Sequence, residues 1–336
     1  MFIYRSASGI VVSVKSRLNP AALPLLFAFC CGTAHAEDRI QLYPAYLSAG
    51  TGAIEGRVIA YEDADPHSVT EGRRANLRRN LGMLVNDERA DVPVTVRLVE
   101  RRWNATTDEE GYFRIDLGDL GALTPGWHQI GGEVAGSTSE TGLLVVPEVN
   151  VHGLISDLDD TILVTEVTST RRMLANTLLR NPMQREAVPG TAALYQELAA
   201  RNADAAAAPL FYLSASPRQL HFSIETFLAY NGFPRGVLIT KRVTNDETSE
   251  PLRDQRAYKK VRIEEILARV PHVRFTLIGD DGEHDPEIYD EIRQRNPERI
   301  EAIWIRRVHP DPERPKPAGQ GDLAVLLDGH CCMPQD

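Results

Sequence analysis

The sequence has no excess of positive charge: 37 Lys and Arg stand against 47 Asp and Glu, a formal charge of −10. Nucleic acid held by counterion release needs a basic surface, so that class of partner is excluded. Internal repeats and low-complexity tracts are also missing. With 24 Gly and 21 Pro among 336 residues, 43% of them hydrophobic and 25% charged, collagen-like and wholly disordered chains are excluded too. Cysteine is scarce. Of four, Cys30 and Cys31 fall in the leader described below, and the adjacent Cys331 and Cys332 cannot staple a core. A zinc site there is disfavoured, because only His330 lies nearby.

What is present begins with a leader. Arg5, Lys15 and Arg17 precede an apolar stretch from Ala21 to Cys31, followed by the small-residue string Ala34–Ala36. This is the order of a secretory signal with cleavage after Ala36. The apolar stretch is short for a bilayer span, and no later segment reaches about 18 uninterrupted apolar residues. The expectation is export to the periplasm or beyond, with a soluble chain after cleavage of residues 1–36.

The remaining length suggests two domains of ordinary size. Over 37–149, segments such as "AIEGRVIAY", "VPVTVRLVE" and "GYFRIDL" alternate in part and are separated by Gly, Pro and Asp turns. They predict an all-β sandwich. Between Asp63 and Asp87 lies a polar stretch with Arg73, Arg74, Arg78 and Arg79, read as a solvated helix with a basic lipid or phosphate contact as the alternative. Over 150–310 the pattern becomes strand–helix alternation, which predicts a parallel sheet covered on both faces. Residues 311–336 read as a C-terminal tail.

In such sheets ligands sit beyond the carboxyl ends of the strands. Asp157 and Asp159 in "SDLDDT" stand two apart at a strand end and start on the same side. Carboxylates that close repel each other, and a hard divalent ion such as Mg²⁺ relieves the repulsion. Ser214 in "FYLSASP" closes a second strand, either to bond a phosphate oxygen or to cap the next helix. Lys259, beside Lys260 near a helix start, carries the charge that a phosphate and a carboxylate nucleophile would need. In "LIGDDGEHDPEIYDEI", Asp280 and Asp281 follow an apolar strand, and Asp285 precedes Pro286 at a helix start, where it could also be a simple cap.

In this order, "DLDDT", "YLSASP", a lysine and "GDDGEHD" resemble the four motifs of haloacid dehalogenase-type phosphatases. More closely, "GLISDLDDTILVT", "FYLSASPRQL" and "FTLIGDDGEHDPEIY" resemble phosphatidate phosphatases of the actin-patch-protein type over about residues 150–310. The resemblance implies a doubly wound α/β catalytic domain behind the β-sandwich. It implies Asp157 as the nucleophile that forms an aspartyl-phosphate, and Asp159 as acid and then base. Mg²⁺ would be held by Asp157, the Asp159 carbonyl and Asp280, with Asp281 or Asp285 completing the shell. Ser214 would bind the phosphoryl group, Lys259 would steady it and the nucleophile, and Thr161 would orient the loop. The implied partner is a lipid phosphate, reached through transient contact with a membrane surface. The competing expectations are a phosphomonoesterase for soluble substrates and a surface-binding protein whose phosphatase-like half is inactive.

Overall fold

The computed structural model describes residues 37–331 apart from 62–71, 73, 77–87, 122, 150, 165–180, 244–253, 310 and 312. The expected signal segment, most of the arginine-rich stretch and Cys332 lie outside the described residues.

The first half is built from β1 (Glu37–Leu42), β2 (Ala45–Ser48), β3 (Thr51–Tyr61), β4 (Pro93–Leu98), β5 (Arg101–Thr106), β6 (Tyr112–Leu117), β7 (Gly126–Val134) and β8 (Ser137–Val145). Alternation decides which side of each strand is dry. In β4, Val94, Val96 and Leu98 are buried while Arg97 faces solvent, as a half-buried strand requires. These side chains join Ile40, Leu42, Ile54, Val58 and Ile130 in one apolar core. The eight strands form one hydrogen-bonded sheet, in the order β1-β3-β2-β8-β7-β4-β5 with β6 on β3. The ladder is continuous because short β2 pairs antiparallel with β3 and parallel with β8, through Ala45↔Leu143 to Leu47↔Val145.

The second half contains β9 (Val151–Asp157), β10 (Leu210–Pro217), β11 (Val237–Lys241), β12 (Val273–Asp280), β13 (Ile300–Arg306) and β14 (Gly321–Asp322). Every pairing among them is parallel, in the order β11-β10-β9-β12-β13-β14. The helices are α1 (Thr191–Ala200), α2 (His221–Tyr230), α3 (Gln255–Arg269), α4 (Asp285–Arg295) and α5 (Leu323–Cys331). Apolar residues of α3 and α4, including Ile263, Ile266, Ile288 and Ile292, pack on one face of the sheet. Leu194 of α1, Ile224 and Phe227 of α2 and Leu323 of α5 pack on the other. Both faces are covered, which explains why β9 and β12 are almost continuously buried.

Counting only parallel strands in chain order, the sheet reads 3-2-1-4-5-6. The winding reverses between β9 and β12, the position at whose carboxyl ends sheets of this kind bind ligands. Register sets Ser156 beside Ile278, so Asp157 and Asp280 emerge next to each other from neighbouring strands. Past residue 310, where the sequence suggests a tail, Gly321–Asp322 extends the sheet beside β13 and Leu323 is fully buried.

The two halves share apolar packing: Tyr46, Leu144 and Val146 join the same cluster as Val151, Ile155 and Phe211. Ion pairs cross between them as well, Arg218 to Glu55 at 2.8 Å and Arg242 to Asp108 at 2.7 Å.

Candidate active site

Two strand ends and one helix start deliver the acidic residues to one point. β9 and β12 supply Asp157 and Asp280, and α4 begins with Asp285, whose side chain turns inward. Carboxylate oxygens of these three residues lie within 4.8 Å of one another, and all three residues are buried. Gly279 permits this arrangement. A Cβ at that position would sit 2.8 Å from both the Asp285 Cβ and the Tyr289 ring, closer than real contacts allow.

The cation facing the cluster comes from α3. Asp254 caps this helix by accepting from the Ala257 N–H at 2.8 Å. Lys259 shares the buried side of the helix with Ile263 and Ile266 and is only 1% exposed. Its Nζ lies 2.8 Å from Asp157 Oδ1, 2.7 Å from Asp285 Oδ1 and 2.9 Å from Glu283 Oε2. Neighbouring Lys260 turns away to Glu291 at 2.8 Å. Thr161 completes the clamp, its hydroxyl lying within hydrogen-bonding distance of Asp157 Oδ2 at 2.9 Å and Asp280 Oδ2 at 3.2 Å.

Electrostatics follow from burial. Desolvation raises Asp157 and Asp285 above the ordinary carboxylate range against the lowering effect of Lys259. Desolvation, and then the Asp285 charge, push Asp280 up to about 7. Burial opposes the charge on Lys259, but Asp157, Asp285 and Glu283 outweigh it and hold the ammonium well above its usual value. Four acids around one lysine leave an uncompensated negative charge in a dry site, which is costly without a further cation. The donors are hard carboxylate oxygens without sulfur or imidazole among them, a set suited to Mg²⁺ or Ca²⁺ rather than to zinc. Asp157, Asp280 and Asp285 are therefore placed to hold a metal ion.

Asp159 lies at the edge of this cluster. Ser214 donates to its Oδ2 at 3.0 Å, and Ser216 Oγ stands 3.4 Å from the same oxygen. Burial raises this carboxyl, with Glu283 adding to the effect. Asp159 and Ser216 also line a small cavity of about 20 Å³ together with Leu158, Leu163, Ile224, Phe227 and Arg185. Burial lowers Arg185 to about 10 while Asp159 opposes that shift.

Asp281, by contrast, lies outside the acidic cluster. Its Oδ1 accepts from the Val308 and His309 backbone N–H groups at 2.7 and 2.9 Å, and Arg307 stands 3.7 Å from Oδ2. It ties the loop after β13, whereas Asp285 faces Lys259.

Residues that the sequence did not bring forward complete the site. Glu283 is the third carboxylate on Lys259, and Ser216 the second hydroxyl near Asp159. Asp160 adopts φ +58°, a left-handed conformation uncommon outside glycine, and Arg306 from β13 donates to its carbonyl. The spelling "DLDDT" could suggest a tight turn, but nothing in the string points to an arginine 146 positions away.

Residues 152–307 match the family model described as "Phosphatidate phosphatase APP1, catalytic domain". Phosphatidate phosphatase APP1 of Saccharomyces cerevisiae is 34% identical over 154 residues, covering 46% of this chain and 25% of the yeast protein. An uncharacterized protein of Schizosaccharomyces pombe is 28% identical over 221 residues, covering 63% of this chain and 36% of its own length. The chain thus spans between a quarter and about a third of these curated relatives. A carbohydrate acetylesterase from Xanthomonas citri overlaps 84% of this chain and 70% of its own at 8% identity, with a TM-score of 0.29, too low to imply a shared fold.

Proposed function

Proceeding from the similarity of residues 152–307 to the APP1 catalytic domain, we propose that the chain is a Mg²⁺-dependent phosphatase of phosphatidate or a related lipid phosphate. The observation that carries this reading is the meeting of Asp157, Asp280 and Asp285 at one point with Lys259 against Asp157. The parallel sheet and its switch-point site are consistent with a haloacid dehalogenase-like catalytic half, and the eight-stranded sheet with a curled sandwich in front of it.

When bound, Mg²⁺ would supply positive charge that lets an anionic carboxylate approach an anionic phosphate. Asp157, Asp280 and Asp285 would hold it, with the Asp159 carbonyl as a further donor. The rest falls to the chain itself. Lys259 and Thr161 grip both oxygens of Asp157 and fix its direction of attack. A carboxylate oxygen of Asp157 bonds to phosphorus as the ester P–O bond breaks, and Asp159 gives its proton to the departing alkoxide. Asp159 then takes a proton from water as that water attacks the aspartyl-phosphate, releasing inorganic phosphate and restoring Asp157. Burial raises the Asp159 carboxyl, which favours its holding the proton that the first step needs.

Ser214, which donates to Asp159 at 3.0 Å, would bind the phosphoryl group. The signal-like leader fits an enzyme that acts on the membrane surface from the periplasm or outside the cell, and sequencing the amino terminus of the mature chain checks that cleavage. The activity test is phosphate release from phosphatidate in mixed micelles. The proposal expects activity that EDTA abolishes, Mg²⁺ restores and Asp157→Asn removes. Faster turnover of sugar phosphates and nucleotides would reassign the substrate, and activity surviving both EDTA and Asp157→Asn would refute the mechanism.

A further inference from the structure

A cavity of about 120 Å³ lies in the seam between the eight-stranded sheet and β11, the edge strand of the parallel sheet. No step of the proposed phosphatase reaction uses it. Tyr43, Glu55 and Arg114 line it from one half, and Arg218, His221 and Arg269 from the other.

Its charges do not balance. Arg114, Arg218, Arg262 and Arg269 face it against only Glu55 and Glu265. Glu55 is already shared, 2.7 Å from Arg114 and 2.8 Å from Arg218, and these arginines hold its carboxyl below the usual range despite burial. Glu265 is paired with Arg262 at 2.5 Å. Arg269 stands 5.5 Å over the Tyr46 ring and makes no ion pair among the described residues. The buried His221 ring adds an unfilled position. Its Nδ1 meets Thr240 Oγ1 at 3.2 Å, but Nε2 makes no hydrogen bond, the Glu225 carboxylate being 3.6 Å away.

Arg114 is also held by Asp116 at 2.7 Å, which leaves a surplus of one positive charge. In a half-enclosed, partly apolar space that charge attracts an anion more strongly than it would in open water. Several waters fit in this volume, so a tetrahedral oxyanion does too. Planar guanidinium forks are the side chains best shaped to hold one. We infer that the seam is a binding site for a small phosphate-bearing anion, separate from the Asp157 cluster and built jointly by both halves of the chain. This gives the β-rich half a chemical role, since without Tyr43, Glu55 and Arg114 the pocket has one wall.

The test is calorimetric titration of the full chain with inorganic phosphate in EDTA, which leaves the acidic cluster without a cation. The inference expects saturable binding that Arg269→Gln weakens at least tenfold, Arg269→Lys weakens less, and Ser214→Ala leaves unchanged. Both Arg269 variants should keep phosphatase activity within about twofold, showing that the fold survives. Co-flotation with vesicles of phosphatidate in phosphatidylcholine identifies the source of the phosphate. Vesicle binding lost in Arg269→Gln assigns a lipid headgroup, and vesicle binding unchanged alongside weakened phosphate binding assigns a free ion. No phosphate binding, or binding lost in Ser214→Ala and kept in Arg269→Gln, overturns the site. If neither Arg269 variant folds, Arg114→Gln replaces them, and unaltered phosphate affinity in it counts against the inference. Because the titration needs no turnover, it can fail while the phosphatase reading stands, and the reverse.

Discussion

The Lys259 ammonium lies 2.8 Å from Asp157 Oδ1, with both side chains almost wholly withdrawn from water. A buried pair of this kind is weak evidence of stability in itself, but removing one partner strands the other. Lys259→Met should therefore leave Asp157 and Asp285 facing each other without their cation, and destabilise the fold by about 3–5 kcal/mol. Denaturant unfolding in EDTA measures this. Mg²⁺ should restore part of the loss, because a bound cation replaces some of the missing charge.

Asp281 and Asp285 should separate cleanly. Asp281→Asn keeps an oxygen for the Val308 and His309 N–H groups, so divalent-ion affinity should stay within about threefold of wild type. Asp285→Asn removes a carboxylate from the cluster and should lower that affinity at least tenfold, one step of about 1.4 kcal/mol. Parallel ion titrations of the two variants check the pair. Equal losses would mean that the loop held by Asp281 and the acidic cluster cannot be told apart.

Gly279→Ala is a test of space rather than charge. The added methyl meets the Asp285 Cβ and the Tyr289 ring at 2.8 Å, and both belong to a packed helix. Overpacking of this kind costs about 1–3 kcal/mol. Because the atom displaced first belongs to Asp285, ion affinity should fall along with thermal stability. A variant that lost stability but kept full ion affinity would show that Asp285 does not depend on this glycine.

The ion-free protein should lose stability as pH rises. Burial, and then Asp285, push Asp280 up to about 7 in the folded state, against roughly 3.9 for a free aspartate. The folded chain therefore holds a proton more tightly than the unfolded chain. The associated stability is present below about pH 4 and is lost between there and about pH 7, at up to about 1.4 kcal/mol per pH unit for one group. Saturating Mg²⁺ should flatten or reverse this slope, since it favours the carboxylate form. Thermal unfolding from pH 5 to pH 8, with EDTA or with Mg²⁺, reads both effects.

How much of this was legible depends on the kind of signal. Asp157 and Asp280 stand out because each ends an apolar run, and strand-end acids in an alternating α/β pattern have few reasons to be there. Asp285 was ambiguous with a helix cap: Pro286 suits either reading, and only its inward turn decides. Lys259 could be told from Lys260 by resemblance alone, because a shift of one residue along a helix rotates a side chain by about 100°. Glu283 left no trace, since loop side chains have no periodicity to read, and Arg306 ends a strand with nothing in its spacing to link it to Asp160. In the β-rich half, β4 and β6 alternate and were visible, whereas β5 has the string "RRWNAT", exposed for most of its length and with only Trp103 and Ala105 packed against the core. The joining role of β2 could not be seen either. Four residues pairing with the next strand and with one a hundred residues later leave no pattern that distinguishes one continuous sheet from two facing sheets.

The central claim is that three carboxylates from β9, β12 and α4 surround one divalent ion. Titration with Mn²⁺, followed by electron paramagnetic resonance at pH 7.5, tests it directly. One ion should bind per chain, compete with Mg²⁺, and be lost on replacing Asp280 with Asn. No saturable binding, or binding indifferent to Asp280→Asn, would contradict the account.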